Sequence, residues 1–164
     1  MKWLLPVCAF ALAGVAAAQT VDSARFYKLE FVFKEIESGK AVSSRSFSTM
    51  LPLQTPGRDT AAASVRANGK IPVSSGNNTN FIDLNVNINA RDLREAQGDV
   101  SVSLDIDVSN LAQDASAAGA PGYRNNRWQG VVIVPARKPT MVFSSDDVYS
   151  KRQYQLELTA TPIK

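Results

Sequence analysis

DVSVSLDIDVS, residues 99–109, is the stretch of sequence that decides the fold. Its aliphatic residues alternate strictly with serine and aspartate, a period of two that is typical of a half-buried β-strand. Residues 81–89 repeat the pattern, with Leu84, Val86 and Ile88 facing away from Asp83 and three asparagines. We predict that the two strands pair antiparallel, with one aliphatic and one polar face. Residues 91–98 are predicted to connect them, with one helical turn.

The same period recurs along most of the chain. Residues 27–34 and 153–160 alternate in this way, and a turn at residues 37–40 joins the first strand to a partner at residues 41–51. Asn68-Gly69 is the strongest hairpin signal in the sequence, so a turn is predicted there, followed by a polar loop at 74–80. Residues 135–139 are interpreted as the turn of another hairpin, and 112–126 as a loop. These patterns predict an all-β fold, either an antiparallel sandwich or an open barrel-like meander of hairpins.

The first residues are typical of a secretory leader. Lys2 precedes an apolar run over residues 3–15, and Ala16-Ala17-Ala18 supplies the small residues of a cleavage site after Ala18. We therefore expect residues 1–18 to be a signal-peptide helix and 19–164 a single β-rich domain. Export predicts a location in the periplasm or outer envelope. Cys8 lies inside the leader, so no disulfide framework is expected.

The residue types that remain exclude most catalytic chemistry. The chain has no histidine, and no cysteine follows the leader, which removes the common nucleophilic triads and zinc ligand sets. We expect no enzyme activity and no cofactor. The net charge of +3 comes from scattered basic residues, so we predict no nucleic-acid partner.

Two groups of residues are candidate binding sites. Asp83, Asp105 and Asp107 are the candidates for calcium, although alternating acidic and amide residues are also typical of the solvated face of a ribbon, and we expect no metal. The second group combines aromatic and basic side chains that would stack on a sugar ring or a partner's side chain. The alternative for its tryptophan is a plug at one end of the core. This group comprises Trp128, Tyr123, Arg124 and Arg127.

Several short segments between residues 65 and 163 occur in the order seen in one protein family. Residues 69–73 (GKIPV), 83–88 (DLNVNI), 107–111 (DVSNL) and 159–163 (TATPI) resemble successive segments in the C-terminal domain of bacterial secretins, which are outer-membrane secretion pores. Residues 127–134 resemble the strand that leads to the family's turn. Lys138-Pro139 and Ser144-Ser145 stand where the family has Gly-Gly. The resemblance implies a shared β topology and, as a functional implication, an oligomer.

Three hypotheses for the function follow. The first is an exported, non-enzymatic β-domain that serves as a structural or interaction module of the bacterial cell envelope, with another envelope protein or a second copy as its partner. The second is a secretin-like outer-membrane oligomer. The third is a small carbohydrate- or calcium-binding β-sandwich. Association with a membrane is left open but is not favoured.

Overall fold

The computed structural model describes residues 25–55, 57, 60–75, 78–112, 122–147 and 151–163. The predicted leader lies outside these ranges. The described residues form an all-β fold in which all paired strands run antiparallel. The strands are β1 (Phe26–Glu37), β2 (Lys40–Pro52), β3 (Ala62–Ser75), β4 (Asn78–Ala96), β5 (Asp99–Ala112), β6 (Gly122–Pro135), β7 (Thr140–Asp146) and β8 (Arg152–Ile163).

These strands form two four-stranded sheets. The first sheet has the order β2-β1-β8-β7, and the second has the order β3-β4-β5-β6. At one side of the molecule β2 contacts β3, and at the other side β6 contacts β7. The two sheets therefore stack as a sandwich, which confirms the first of the two predicted all-β architectures.

The core lies between the sheets and follows directly from the alternation in the sequence. On β1 the four residues predicted to share one face are buried, as is Glu35 two positions further along the same face, and their neighbours on the other face are at least partly exposed. Burying one Leu, Ile or Phe side chain is worth roughly 1.5–3 kcal/mol, so this stripe is a main source of stability. The buried residues of the four central strands include Leu29, Phe31, Val86, Ile88, Val102, Leu104, Leu156 and Leu158.

The first predicted turn is confirmed. Ser38 and Gly39 both adopt positive φ, 52° and 77°, between β1 and β2. Two consecutive residues with positive φ match the twist of an antiparallel hairpin, and glycine takes this conformation without steric cost.

The turn predicted at Asn68-Gly69 is wrong. β3 runs straight through these residues, which pair with Asn85 and Leu84 of β4, and the chain reverses between Ser75 and Asn78. The predicted loop at residues 74–80 is therefore replaced by the ends of two paired strands. An Asn-Gly pair permits a tight turn but does not require one, and the alternating pattern of β3 continues across it.

The predicted helical turn in residues 91–98 is also wrong. β4 continues to Ala96 through a bulge, where Asp92 has a φ of 57° and the ladder to β5 shifts register. The extra residue lets Leu93 remain buried while the strand bends. The reversal itself takes place at Gln97 and Gly98, both with positive φ.

Two further predictions about connections need correction. Residues 135–139 do connect β6 to β7, but these strands belong to different sheets and do not form a hairpin. The connection bonds to both sheets, since the amide of Ala136 donates to the carbonyl of Gly98 and that of Arg137 to Ala160. The predicted loop at 112–126 is shorter, because β6 begins at Gly122 and pairs with β5 up to Ala112. Residues 113–121 lie outside the described ranges. In the described part of the chain, no helix is long and apolar enough to cross a membrane.

Candidate functional surfaces

Trp128 lies at the open side of the sandwich, where the edges of the two sheets meet. Its ring centroid is 5.5 Å from that of Phe143 on β7, so the contact joins the second sheet to the first. Gly130 makes room for the indole, because a Cβ at that position would lie 3.1 Å from Cζ2 of Trp128. The ring is half-buried and packs against the core. This position matches a plug between the sheets, while one part of the ring stays accessible.

A shallow apolar slot opens beside Trp128. Phe33 and Tyr154 stack on its far wall, with ring centroids 5.9 Å apart. The accessible surface of the slot is almost entirely apolar. Its lining consists of Phe33, Ile106, Val108, Asn126, Trp128, Phe143 and Tyr154.

Arg127 points to the opposite face of β6. Its guanidinium donates two hydrogen bonds to the carboxylate of Asp105, at 3.2 and 2.9 Å. This bidentate contact holds the pKa of Asp105 below its ordinary value, with a further contribution from Gln129. The predicted aromatic-basic cluster is thus divided between two faces. Tyr123 and Arg124 belong to β6, but their side chains lie outside the described part.

The calcium candidates are spread along the second sheet. Asp105 and Asp107 share the solvent face of β5, where Asp107 pairs with Asn87 and Asp105 with Asn89. Asp83 lies four residues before Asn87, which corresponds to about 13 Å along β4. Asp105 is already engaged by Arg127. Among the described residues, no three acidic, histidine or cysteine side chains converge as a metal site, and the side chain of Asp83 is not among them.

A polar network closes the end of the sandwich where β1 begins. The Tyr27 ring is buried, and its hydroxyl interacts with Glu95, which also accepts a hydrogen bond from Arg25 at 2.9 Å. Burial, and next the contact with Glu95, raise the pKa of Tyr27 to about 12. The network links the start of β1 to the end of β4.

The four outer strands present the most distinctive surface. In the described sheets, β2, β7, β3 and β6 each pair on one side only, and we call them the edge strands. Among the side chains that the structure describes, large apolar ones that remain exposed are concentrated on these strands: five of the seven lie on β2, β6 and β7. Val131 and Ile133 on β6 are the most exposed, at 68% each. The full edge set is Val42, Met50, Val131, Ile133 and Met141.

Sequence reasoning did not single out these edge residues, although a signal was present. Residues 131–134 are apolar at four consecutive positions, so β6 must place two apolar side chains on each face. In a strand with one solvated face, such a run marks a second apolar contact surface.

Comparison with known proteins gives a likeness of fold. No family model and no curated protein matches the chain. Among solved structures, the cryo-EM structure of the secretin InvG from the Salmonella SPI-1 type III secretion injectisome aligns with 86% of this chain and 65% of its own. Identity is 11% and the TM-score 0.44. An atomic model of the same injectisome's basal-body proteins InvG, PrgH and PrgK aligns with 86% and 46%, with the same identity and TM-score.

The chain thus spans about half to two thirds of the chains to which it is similar. The resemblance to secretins predicted from residues 65–163 is confirmed as a weak similarity of fold.

Proposed function

We propose that the protein is an exported, non-enzymatic module of the bacterial cell envelope that binds its partner by strand addition at the edges of its sheets. The observation that carries the proposal is the placement of exposed apolar side chains on the edge strands. The predicted leader in residues 1–18 supports export, and the absence of histidine from the chain supports a role without catalysis.

Strand addition accounts for that placement physically. An edge strand presents a row of unpaired N–H and C=O groups, and an added strand forms hydrogen bonds with these groups. The side chains of the added strand also cover the exposed apolar side chains of the edge strand. β6 is suited to this because its pairing with β5 is unbroken from the pair Asp99–Pro135 to the pair Ala112–Gly122, and no bulge turns its edge away. A long, regular, apolar edge is costly to leave exposed, so we infer that it is covered in the envelope.

Assembly with copies of the same chain is the second candidate, and one observation favours it. β7 runs antiparallel to β8, and β2 runs antiparallel to β1, so β7 of one copy and β2 of the next would meet antiparallel. The same holds for β6 and β3 in the second sheet. A single side-by-side contact would therefore extend both sheets, which is the arrangement that a ring requires.

Cysteine cross-linking in the native host tests the proposal. No cysteine follows the leader, so Val131→Cys introduces a single thiol at the edge. Ser103→Cys is the matched control, because Ser103 pairs with Val131 across the ladder but lies on the central strand β5. A short bifunctional thiol-amine reagent applied to intact cells should give a discrete adduct with Val131→Cys only.

The mass of the adduct separates the two candidates. Twice the mass of the mature chain indicates a second copy, and any other single mass indicates a different envelope protein. Equal adducts from Val131→Cys and Ser103→Cys, or none from Cys at Val131, Ile133 and Met141, would contradict strand addition.

A further inference from the structure

Charge is unevenly divided between the edge strands and the four central strands. The central strands β1, β4, β5 and β8 carry five basic and ten acidic residues, whereas the edge strands carry six basic residues and one acidic residue. The acidic exception is Asp146 on β7. The basic residues of the edges are Lys40, Arg45, Arg66, Lys70, Arg124 and Arg127.

The basic excess is greatest at the side of the molecule where β2 contacts β3. Lys40, Arg45, Arg66 and Lys70 are all exposed, and neither strand has an acidic residue. We call this the basic side. Lys40 pairs with Glu37, and Lys70 pairs with Asp83. Two of the four basic residues therefore have an acidic residue opposite them in the ladder.

Arg45 and Arg66 have no acidic cross-strand neighbour. Arg45 pairs with Phe33 and Arg66 with Asn87. The two arginines also lie at the same height along the strands. Phe33, the partner of Arg45, lines the slot together with Ile106 and Val108 of the second sheet. Asp107 lies between those two residues and pairs with Asn87, which in turn pairs with Arg66. One arginine from each sheet thus flanks the free edge of β3.

We infer that the basic side takes an extended acidic segment of another protein, added as a strand along β3 before Pro72. This inference rests on the proposed function and names its partner's chemistry. Glutamate or aspartate at alternate positions would face Arg66 on the outer face of the second sheet, while Arg45, which shares the inner face of the first sheet with Phe33, adds positive charge on the inner side of the same edge. Pro72 limits the site because it has no N–H to offer the added strand.

The charge pattern argues against a second copy at this side. The opposite edge of the same sheet, β6, carries Arg124 and Arg127 and no acidic residue. Pairing β6 with β3 of another copy would bring basic residues together, and like charges across a ladder are destabilising. Basic edges also discourage unintended self-pairing, which is a recognised use of lysine on edge strands. An acidic partner makes use of that same charge.

The test uses the chain exported with its own leader and purified from the envelope, together with peptides of about ten residues, long enough to span β3 up to Pro72. One peptide alternates threonine with glutamate, a second alternates threonine with lysine, and a third alternates threonine with serine. Heparin serves as an acidic polymer that cannot add as a strand. Binding is measured by fluorescence anisotropy, and amide hydrogen exchange of β3 reports strand addition.

The variant Arg45→Glu with Arg66→Glu is compared with a matched control, Lys28→Glu with Arg91→Glu. The control makes the same change in net charge at exposed positions on central strands. We expect the glutamate peptide to bind and to protect β3 amides, with about ten-fold weaker binding in the arginine variant and less than about two-fold change in the control. Added salt should weaken this binding, because the contacting charges are exposed.

Four results would overturn the inference, and they point to different causes. Equal losses in both double variants would show an effect of net charge alone. Equally tight binding of the serine peptide, unaffected by the arginine changes, would leave strand addition standing but remove the acidic partner. Heparin binding that depends on the arginines, without binding of the glutamate peptide, would assign the basic side to an acidic polysaccharide. No binding by any peptide and no protection of β3 would contradict strand addition at this edge itself.

Discussion

β5 and β6 are neighbours in one sheet, yet they meet opposite demands. β5 has a hydrogen-bonded neighbour on each side, buries its aliphatic face and presents serine and aspartate to solvent. In the described sheets β6 has one hydrogen-bonded neighbour, β5, and it exposes Val131 and Ile133 on the face that should be polar. The difference teaches that the central strands carry the stability of the fold, whereas the edge strands carry features that the isolated fold does not require.

The largest expected effect is a loss of stability on truncating a central core residue. Phe31→Ala removes a fully buried ring from β1 and should lower the free energy of unfolding by about 3–5 kcal/mol. Val131→Ala at the edge should change it by less than about 0.5 kcal/mol. Urea denaturation followed by circular dichroism measures both. Similar losses in the two variants would mean that β6 is as much a part of the core as β1.

A second prediction concerns alkaline pH and the buried end of β1. The pKa of Tyr27 is about 12 in the folded chain, above its value of about 10 in the unfolded chain. Folded stability should therefore be fully present below pH 10 and should fall by about 2 kcal/mol as the pH rises towards 12. Tyr27→Phe should remove this fall. Denaturation midpoints measured between pH 8 and 12 decide the point, and identical slopes in the two proteins would exclude Tyr27 as the cause.

A third, smaller effect is expected at Gly130 on the edge strand β6. An added Cβ lies 3.1 Å from the indole of Trp128, so Gly130→Ala should displace the ring at a cost of about 1 kcal/mol. Trp3 is the only other tryptophan and belongs to the predicted leader, so fluorescence of the mature chain reports Trp128 alone. We expect a red-shifted emission. An unchanged spectrum and stability would show that the plug is not held by this contact.

The smallest effect is predicted for the contact between β5 and β6. Hydrogen bonds from Arg127 lower the pKa of Asp105, so their contribution is present above the unfolded pKa and is lost as the pH falls through the lower folded value. Asp105→Asn should therefore lose slightly less stability than the parent on acidification below about pH 4. The pair is exposed, so the difference should shrink in high salt. A difference that salt does not change would contradict this explanation.

The sequence was most informative where one strand face is buried and the other is solvated. The alternation at residues 27–34 and 99–109 predicted the strands and their buried faces, because a slip of one residue would reverse every side chain. The number of such strands predicted an all-β fold, but a sandwich and an open meander fitted the pattern equally well. Connections were less predictable, since Asn68-Gly69 satisfies the geometry of a turn without requiring one.

The assignment of strands to sheets was beyond a local pattern. Residues 135–139 contain two prolines and fit a hairpin turn as well as they fit a connection between two sheets. The pairing of β7 with β8 shows that they connect the two sheets. The edge surface was missed for a related reason. The apolar run at residues 131–134 indicates a second apolar face on its strand, but the position of β6 at the edge of a sheet depends on long-range topology.

Amide hydrogen exchange of β6 tests the central claim most directly. The chain is measured in its native envelope complex and again after separation from its partner. We predict slow exchange across Gly122–Pro135 in the complex and fast exchange of the outward-facing amides after separation, while the central strands β4 and β5 stay protected in both. Equally fast exchange of β6 amides in both states would show that the edge is never covered and would contradict strand addition as the function of this fold.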